Sequence, residues 1–339
     1  MTRPVPPEHG TVDVSVVVAA HNAIATIASC LDSVGSQSRR PRETLVVDDG
    51  SSDGTGQLVA ASFPHVHLLG QANAGPASAR NRGIAEATGR WIAFLDADDV
   101  WHPDKLAVQL EAAERHPQAV LVACDWVPPA SDLMARGMAR GKGGETVLST
   151  RDLLVLNRFQ TSTVLLRSDV ARRIGGFDPS VDGTEDWDLW LRSSAYGAVV
   201  KVDRTLVCYR DLPGSYSKDG WRVYSSMLRL LDRHLGAAGL STHEARELRA
   251  WHHLRFLVSF WLARRPELVQ RVWANLRAEE LLGAVPSATV HHLLPFLARR
   301  RLRRLQRLAR SVVAEPRLVM AARRLTLADQ RVAARTRDQ

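Results

Sequence analysis

The run VSVVVAA at residues 14–20 is apolar except for Ser15, so a strand built from it has no face to offer to water. A sheet containing such strands must be covered on both sides. TLVVDD (44–49) and WIAFLDADD (91–99) have the same character, and helix-like segments at 24–37, 55–62 and 76–89 (PASARNRGIAEATG) lie between the three runs. This alternation predicts an α/β fold with a mostly parallel sheet flanked by helices. Ligands of such sheets bind at the carboxyl ends of the strands. The acidic residues gather at those ends, with Asp48 and Asp49 closing one strand and Asp96, Asp98 and Asp99 another.

The 339 residues, 45% of them hydrophobic, suffice for two domains or for one large α/β domain with an appendage. Cys30, Cys124 and Cys208 are widely spaced and form no CxxC or Cys/His cluster. A disulfide framework and a structural zinc site are therefore not expected, and a reducing cytoplasm is the simplest setting. The early VSVVVAA run follows Glu8 and Asp13 and has only Arg3 as a basic flank, which fits a buried strand better than a signal segment. The longest apolar candidate elsewhere is LVSFWLA, well short of the roughly 18 residues that crossing a bilayer requires.

The net charge of +9 is unevenly distributed. Residues 1–219 carry 22 basic and 27 acidic side chains, and residues 220–339 carry 23 and 9. The basic part reads as helices near 222–235, 243–263, 267–282 and 293–313. The change at DLPGSYSKDGW sets expected domains of 12–218, acidic and α/β, and 219–339, helical and Arg-rich.

Three stretches carry the candidate chemistry. In AFLDADDVW, residues two apart on an extended strand end face one side, so Asp96 and Asp98 repel unless a proton or a divalent cation intervenes. An oxygen-rich pair suits Mg²⁺ or Mn²⁺, which can then clamp a diphosphate. The alternative is that Asp98 and Asp99 cap a helix beginning near Pro103. In LVVDDGSSDGT (45–55), Asp49 can accept the N3–H of uracil or thymine, or the N1–H and N2–H₂ edge of guanine, whereas cytosine offers no ring N–H. The same residues also make an ordinary strand-to-helix turn. No GxGxxG or Walker-type phosphate loop is present. In GTEDWDLWLR (183–192), Thr184 reads as an N-cap with Glu185 and Asp186 in the first helical turn. Trp187 and Trp190 have the spacing of a sugar platform or of core side chains.

Five stretches in order, VSVVVAAHNA, SVGSQSRRPRETLVVDDGSSDGT, NAGPASARNRGIAEATGRWIAFLDADDVWHPDKL, STVLLRSDVARRIGGFD and GTEDWDLWLR, resemble glycosyltransferase family 2 with its GT-A nucleotide-sugar fold. The resemblance covers residues 12–210. It implies that Ala19, His21, Asn22 and Asp49 line the nucleoside pocket and that Arg80 lies near the base or diphosphate. It places Asp96 at the ribose, with Asp98, or alternatively Asp99, as ligand of a divalent cation. His21 departs from the family pattern, which has an aromatic residue before the Asn. An inverting transferase also needs a carboxylate to take the acceptor's proton. The resemblance assigns this role to Asp186, with Glu185 in reserve. The implied reaction moves one sugar from a UDP- or dTDP-sugar to a glycan or lipid-linked acceptor in surface polysaccharide, glycolipid or related synthesis. The QxxRW signature of processive members is missing.

In LLPFLARRRLRRLQRLARSVV, residues 294, 298, 302, 305, 309 and 312 form an apolar stripe among seven arginines. A helix over 293–313 of this kind suits an anionic membrane surface, on the inner face of the plasma membrane. The alternative is a stripe packed on the catalytic domain. No nucleic-acid partner is expected, because the arginines fall in no recognised binding motif. Two rival readings remain. Haloacid-dehalogenase-like phosphatases also carry a DxD after an apolar strand, but on their first strand, whereas two βα units precede this one. A noncatalytic membrane-docked scaffold would not need Asp49, Asp96, Asp98 and Asp186 together.

Overall fold

The computed structural model describes residues 11–127, 143–210 and 219–298. These divide after Leu240 into two compact units.

The first unit opens as three βα steps: β1 (Val12–Ala20), α1 (Ile27–Gly35), β2 (Pro41–Asp49), α2 (Thr55–Ser62), β3 (His67–Gln71), α3 (Pro76–Glu86) and β4 (Trp91–Asp96). β1 lies parallel between β2 and β4, and β3 extends the sheet beyond β2. Val14, Val16, Val17 and Val18 are wholly buried, as a two-faced apolar strand requires. The register sets Ala19 beside both Val47 and Asp96, and Asp49 beside Gln71. The carboxyl ends of β3, β2, β1 and β4 thus form one rim.

The remaining elements are β5 (Val100–Trp101), α4 (Lys105–Arg115), β6 (Ala119–Val127), β7 (Glu145–Leu148), α5 (Thr150–Val155), β8 (Leu165–Arg167), α6 (Ser168–Arg173), α7 (Glu185–Ser193), β9 (Ala198–Cys208) and α8 (Gly220–His234). The sheet order is β3-β2-β1-β4-β8-β6-β9-β5, with β7 also on β9. β6 and β9 are parallel, while β8, β5 and β7 run antiparallel to their neighbours. These three strands are two to four residues long, too short to carry a readable period. β5 also separates Asp98 and Asp99 from helix α4, whose N-cap position is Asp104, so neither residue caps that helix.

Two glycines are needed where backbone and side chains meet. A Cβ on Gly83 would strike the Val17 side chain, so α3 can lie against β1 only with glycine there. Gly50 has φ +73°, and a Cβ would stand 2.8 Å from the Asn73 amide nitrogen.

Both tryptophans of GTEDWDLWLR are core residues. Trp190 is fully buried among Phe94, Phe159 and Phe177, with ring centroids 6.0–6.5 Å away. Trp187 is 2% exposed and donates its ring N–H to the Leu153 carbonyl at 2.7 Å. The sugar-platform reading is corrected: an amphipathic helix turns these rings to the side opposite its exposed face.

Helix α8 packs with the first unit through Tyr224, Met227, Leu230 and Leu231. Ser226 Oγ lies 2.8 Å from Thr184 Oγ1, and Arg233 and His234 reach Asp188. The compact unit therefore runs about 20 residues past the expected boundary at 218/219. Composition changes before the packing does. The second unit contains α9 (Thr242–Leu262), α10 (Pro266–Ala278) and a short α11 (Val285–Ala288), around Trp251, Leu254, Leu276 and Leu281. Of the expected 293–313 helix, residues 299–313 lie outside the described residues.

Replacing Trp190 by Ala is expected to cost about 3–5 kcal/mol of stability, the usual loss for a large buried aromatic. The measurement is urea unfolding, and a change below about 1 kcal/mol would contradict the core assignment.

Candidate functional site

At the rim formed by β1, β2 and β3, Asp49 is 3% exposed and holds the loop before α3. Its Oδ1 accepts from Gln71 Nε2 at 2.8 Å and from the Ala74 amide at 2.9 Å, and its Oδ2 accepts from the Gly75 amide at 2.8 Å. Each carboxylate oxygen accepts two hydrogen bonds, so one position on Oδ2 remains. His21 is exposed and places Nδ1 2.9 Å from the Asp49 carbonyl oxygen. Asn22 adopts φ +49°, with its Oδ1 accepting the Ser52 amide at 2.9 Å. Ala19, partly exposed, sits beside Asp96 in the sheet. The expected nucleoside residues Ala19, His21, Asn22 and Asp49 therefore come from adjoining strand ends. Gln71 belongs with them, and its register opposite Asp49 is a signal that only the sheet pairing reveals.

The three aspartates of AFLDADDVW have different surroundings. Asp96 accepts from Arg80 Nη2 at 2.7 Å. Asp98 is half-buried, and burial followed by the charge of Asp96 pushes it up to about 6. Asp99 is fully buried, with Oδ2 accepting from Ser162 Oγ at 2.5 Å and Oδ1 from the Arg210 amide at 2.8 Å. Burial and Asp96 push it up to about 8. Asp99 is taken up by structure and drops out as the alternative metal ligand, because both oxygens are engaged away from solvent.

Asp96 and Asp98 are the carboxylates left to hold a cation. Among the described residues, no group of three or more His, Cys, Asp or Glu side chains is arranged to hold a metal ion. A closed structural site is thus absent from them. The pair instead fits a Mg²⁺- or Mn²⁺-like ion that takes one or two protein carboxylates and completes its shell with phosphate and water. Burial first and the Asp96 charge second raise Asp98, and a bound cation would offset both.

Arg80 is 8% exposed and joins the strand end to α7. Besides Asp96, it places Nη1 3.5 Å from Glu185 Oε1, and its guanidinium lies 5.3 Å from the Phe177 ring centroid. Burial works against the charge, but Asp96 and Glu185 together hold the Arg80 pKa above its usual value. Through Asp96, Arg80 stays beside the strand end where the donor is expected. The guanidinium faces inward to two carboxylates and an aromatic ring.

Helix α7 begins after Thr184, but the Thr184 hydroxyl makes no cap bond to the helix and lies near Ser226 Oγ and the Val181 carbonyl. The acids fill the gap: Glu185 Oε2 accepts the Gly183 amide at 2.8 Å, and Asp186 Oδ1 accepts the Trp187 amide at 2.6 Å. Asp186 Oδ2 accepts from Asn157 Nδ2 at 3.1 Å. Burial, then the neighbouring Glu185, pushes Asp186 up to about 7. Asn157 Oδ1 is buried and has no hydrogen-bond partner. Nothing in the sequence singles out Asn157, which follows the short helix α5 in an irregular stretch. One turn further, the fully buried Asp188 is bound by Arg192, Arg233 and His234 at 2.7, 3.0 and 2.8 Å. Burial raises it, yet His234 and Arg192 hold it below the ordinary carboxylate range. Asp188 ties α7 to α8 and keeps the Glu185-Asp186 end in place.

Comparison with known proteins bears on the family and the fold. Residues 15–174 match the model of the family described as glycosyl transferase family 2. The succinoglycan biosynthesis protein ExoO of Rhizobium meliloti is 40% identical over 159 residues, which are 46% of this chain and 44% of ExoO. The matched segment thus spans less than half of that relative. The amylovoran biosynthesis glycosyltransferase AmsB of Erwinia amylovora is 31% identical over 249 residues, 69% of this chain and 82% of AmsB. Among solved structures, residues 1–349 of S. aureus TarS in complex with UDP-GlcNAc superpose with a TM-score of 0.62, at 18% identity, covering 80% of this chain and 81% of that one. The mannosyltransferase PcManGT of Pyrobaculum calidifontis, solved with GDP-Man and Mn²⁺, gives 0.53 at 20% identity, covering 86% and 89%. The structural likeness establishes the GT-A-type fold, and with the sequence matches it shows that the chain belongs to glycosyltransferase family 2.

Proposed function

We propose that the protein is an inverting glycosyltransferase, moving one sugar at a time from a UDP- or dTDP-sugar to a hydroxyl of a glycan or lipid-linked acceptor. The observation that carries this reading is the Arg80 bridge. It sets Asp96, at the carboxyl end of β4, within one ion-pair network with Glu185, next to Asp186. Donor-end and base-end carboxylates thereby share one site. The relatives named for succinoglycan and amylovoran biosynthesis support a place in polysaccharide assembly.

In this mechanism the nucleoside lies over Ala19, His21 and Asn22, and the base N–H donates to the open position on Asp49 Oδ2. Asp96 faces the ribose, and Asp98 with Asp96 would hold the divalent cation. When bound, that ion stabilises negative charge on the departing nucleoside diphosphate. Asp186 accepts the proton of the acceptor hydroxyl as its oxygen bonds to the anomeric carbon. The bond from that carbon to the diphosphate oxygen breaks on the opposite face, and the electron pair leaves with the diphosphate. Asn157 orients the accepting carboxylate. A phosphatase reading is not favoured, since family membership and the position of the DxD on the fourth strand speak for a transferase.

Asp186→Asn is expected to fold and bind UDP normally but to lose transfer by roughly 10²-fold or more, as a lost general base does. Glu185→Gln removes one charge from the same helix start and serves as control, with melting temperature followed for both. Inactive Glu185→Gln with an active Asp186→Asn would move the base by one residue. Because Asp186 is pushed up to about 7 and must be ionised to accept a proton, turnover in the parent should rise with pH through about 7. A flat profile from pH 5.5 to 8.5 contradicts its role.

Excess chelator should sharply weaken UDP binding measured by calorimetry, and Asp98→Asn should lose the metal-dependent part of the affinity. Equal UDP affinity with Mn²⁺ and with chelator would refute the cation reading.

UDP should bind more tightly than CDP by about 5- to 150-fold, corresponding to about 1–3 kcal/mol for a buried acceptor left unpaired. Competition between the two nucleotides on the parent protein measures this. That comparison is cleaner than Asp49→Ala, which would also release the Ala74–Gly75 loop.

A further inference from the structure

The second unit exposes apolar side chains that its own core does not use. The core closes around Trp251, and Leu293 and Phe296 pack against it. Leu294 and Leu297 are left outward, Leu294 being 54% exposed. At the end of α9, Trp261 and Leu262 are 70% and 60% exposed, and Val290 is 58% exposed. Trp273 on α10 is also exposed, with the Arg277 guanidinium 5.5 Å from its ring centroid. Among the described residues, seven exposed large hydrophobics fall within 241–298, against four in the much longer first unit. Such a concentration in one small unit, on neighbouring helices, points to an interaction site.

Charge identifies the occupant. Arg264 and Arg265 follow Trp261 and Leu262 after one alanine, residues 261–297 carry four arginines against three glutamates, and residues 299–339 add 13 arginines against three acidic side chains. A second copy would bring the same positive charge to the face. An anionic lipid surface brings the opposite charge, together with an apolar interior for Trp and Leu. No single described helix is long and apolar enough to cross a membrane. Residues 266–278 and 282–298 reach that length and composition only as a pair, and they are bent by 99°. Two short apolar segments at that angle form an L, which suits lying within an interface rather than running straight through it.

We propose that residues 261–297 form a docking surface for an anionic membrane, anchored by Trp261 and Leu262 and steered by the surrounding arginines. The apolar part of the surface is built from described helices, and most of the positive charge comes from the Arg-rich sequence that follows residue 298. The test is sedimentation of the full chain with phosphatidylglycerol vesicles, compared with phosphatidylcholine vesicles and with raised salt. The parent should bind the anionic vesicles and weaken with salt. The double variant Trp261→Ser/Leu262→Ser should bind them about tenfold more weakly or worse, with its circular dichroism and melting temperature unchanged. Parent that ignores anionic vesicles overturns the proposal, as does equal binding by the double variant. A concentration-dependent dimer that the double variant abolishes would also overturn it, because a second copy would then cover the face.

Discussion

A buried guanidinium shared between two carboxylates is the constraint on which the site depends. Arg80 on α3 reaches Asp96 at the end of β4 and Glu185 at the start of α7, residues 89 positions apart. A buried charge that loses its partner is strongly destabilising, so this geometry resists rearrangement. Gly83, one turn along the same helix, lets α3 lie close on β1 and so fixes where the guanidinium sits. Phe177 closes one side of it, and Phe177 in turn packs on Phe94 and Trp190. The aromatic core and the charged site therefore support one another.

The acidic side chains fall into two groups by the number of donors they meet. Asp49 and Asp188 are nearly or fully buried, yet each accepts at least three hydrogen bonds from protein groups and serves to hold a loop or a helix. Asp98 and Asp186 sit in partly buried places with a like charge nearby and fewer donors, and both are pushed upward. A carboxylate left short of donors is primed to take a cation or a proton, and the proposed cation ligand and the proposed base both fall in the second group. Asp99 shares the upward shift but has both oxygens engaged by Ser162 and Arg210, so burial without access gives it a structural part.

The two compact units differ in what they present to their surroundings. The first places its tryptophans at 187 and 190 inside and turns carboxylates toward the strand ends. The second keeps Trp251 inside but leaves Trp261 and Trp273 outside, among arginines. The proposed cation and nucleotide site lies in the acidic part of the chain and the proposed membrane face in the basic part, in line with the uneven charge distribution.

The sequence by itself determined the parallel strands, the helices between them and the row of acids at their ends, because those features rest on local period and on turns within a few residues. It also carried the family, through five stretches in order. Only the tertiary structure decided among neighbours. Asp98 and Asp99 are adjacent, yet one faces the site and the other faces Ser162. The resemblance puts Arg80 near the nucleotide, but nothing in the sequence pairs it with Glu185, which only α7 brings beside it. Asn157 carries no signal at all before α5 and α7 set it 3.1 Å from Asp186. Helix α8 has the basic half's helical character but belongs by packing to the first unit. The physical reason is the same in each case. Hydrophobic periodicity is a property of one segment, whereas burial, hydrogen-bond supply and charge pairing are set by segments distant in sequence that only the folded chain brings together.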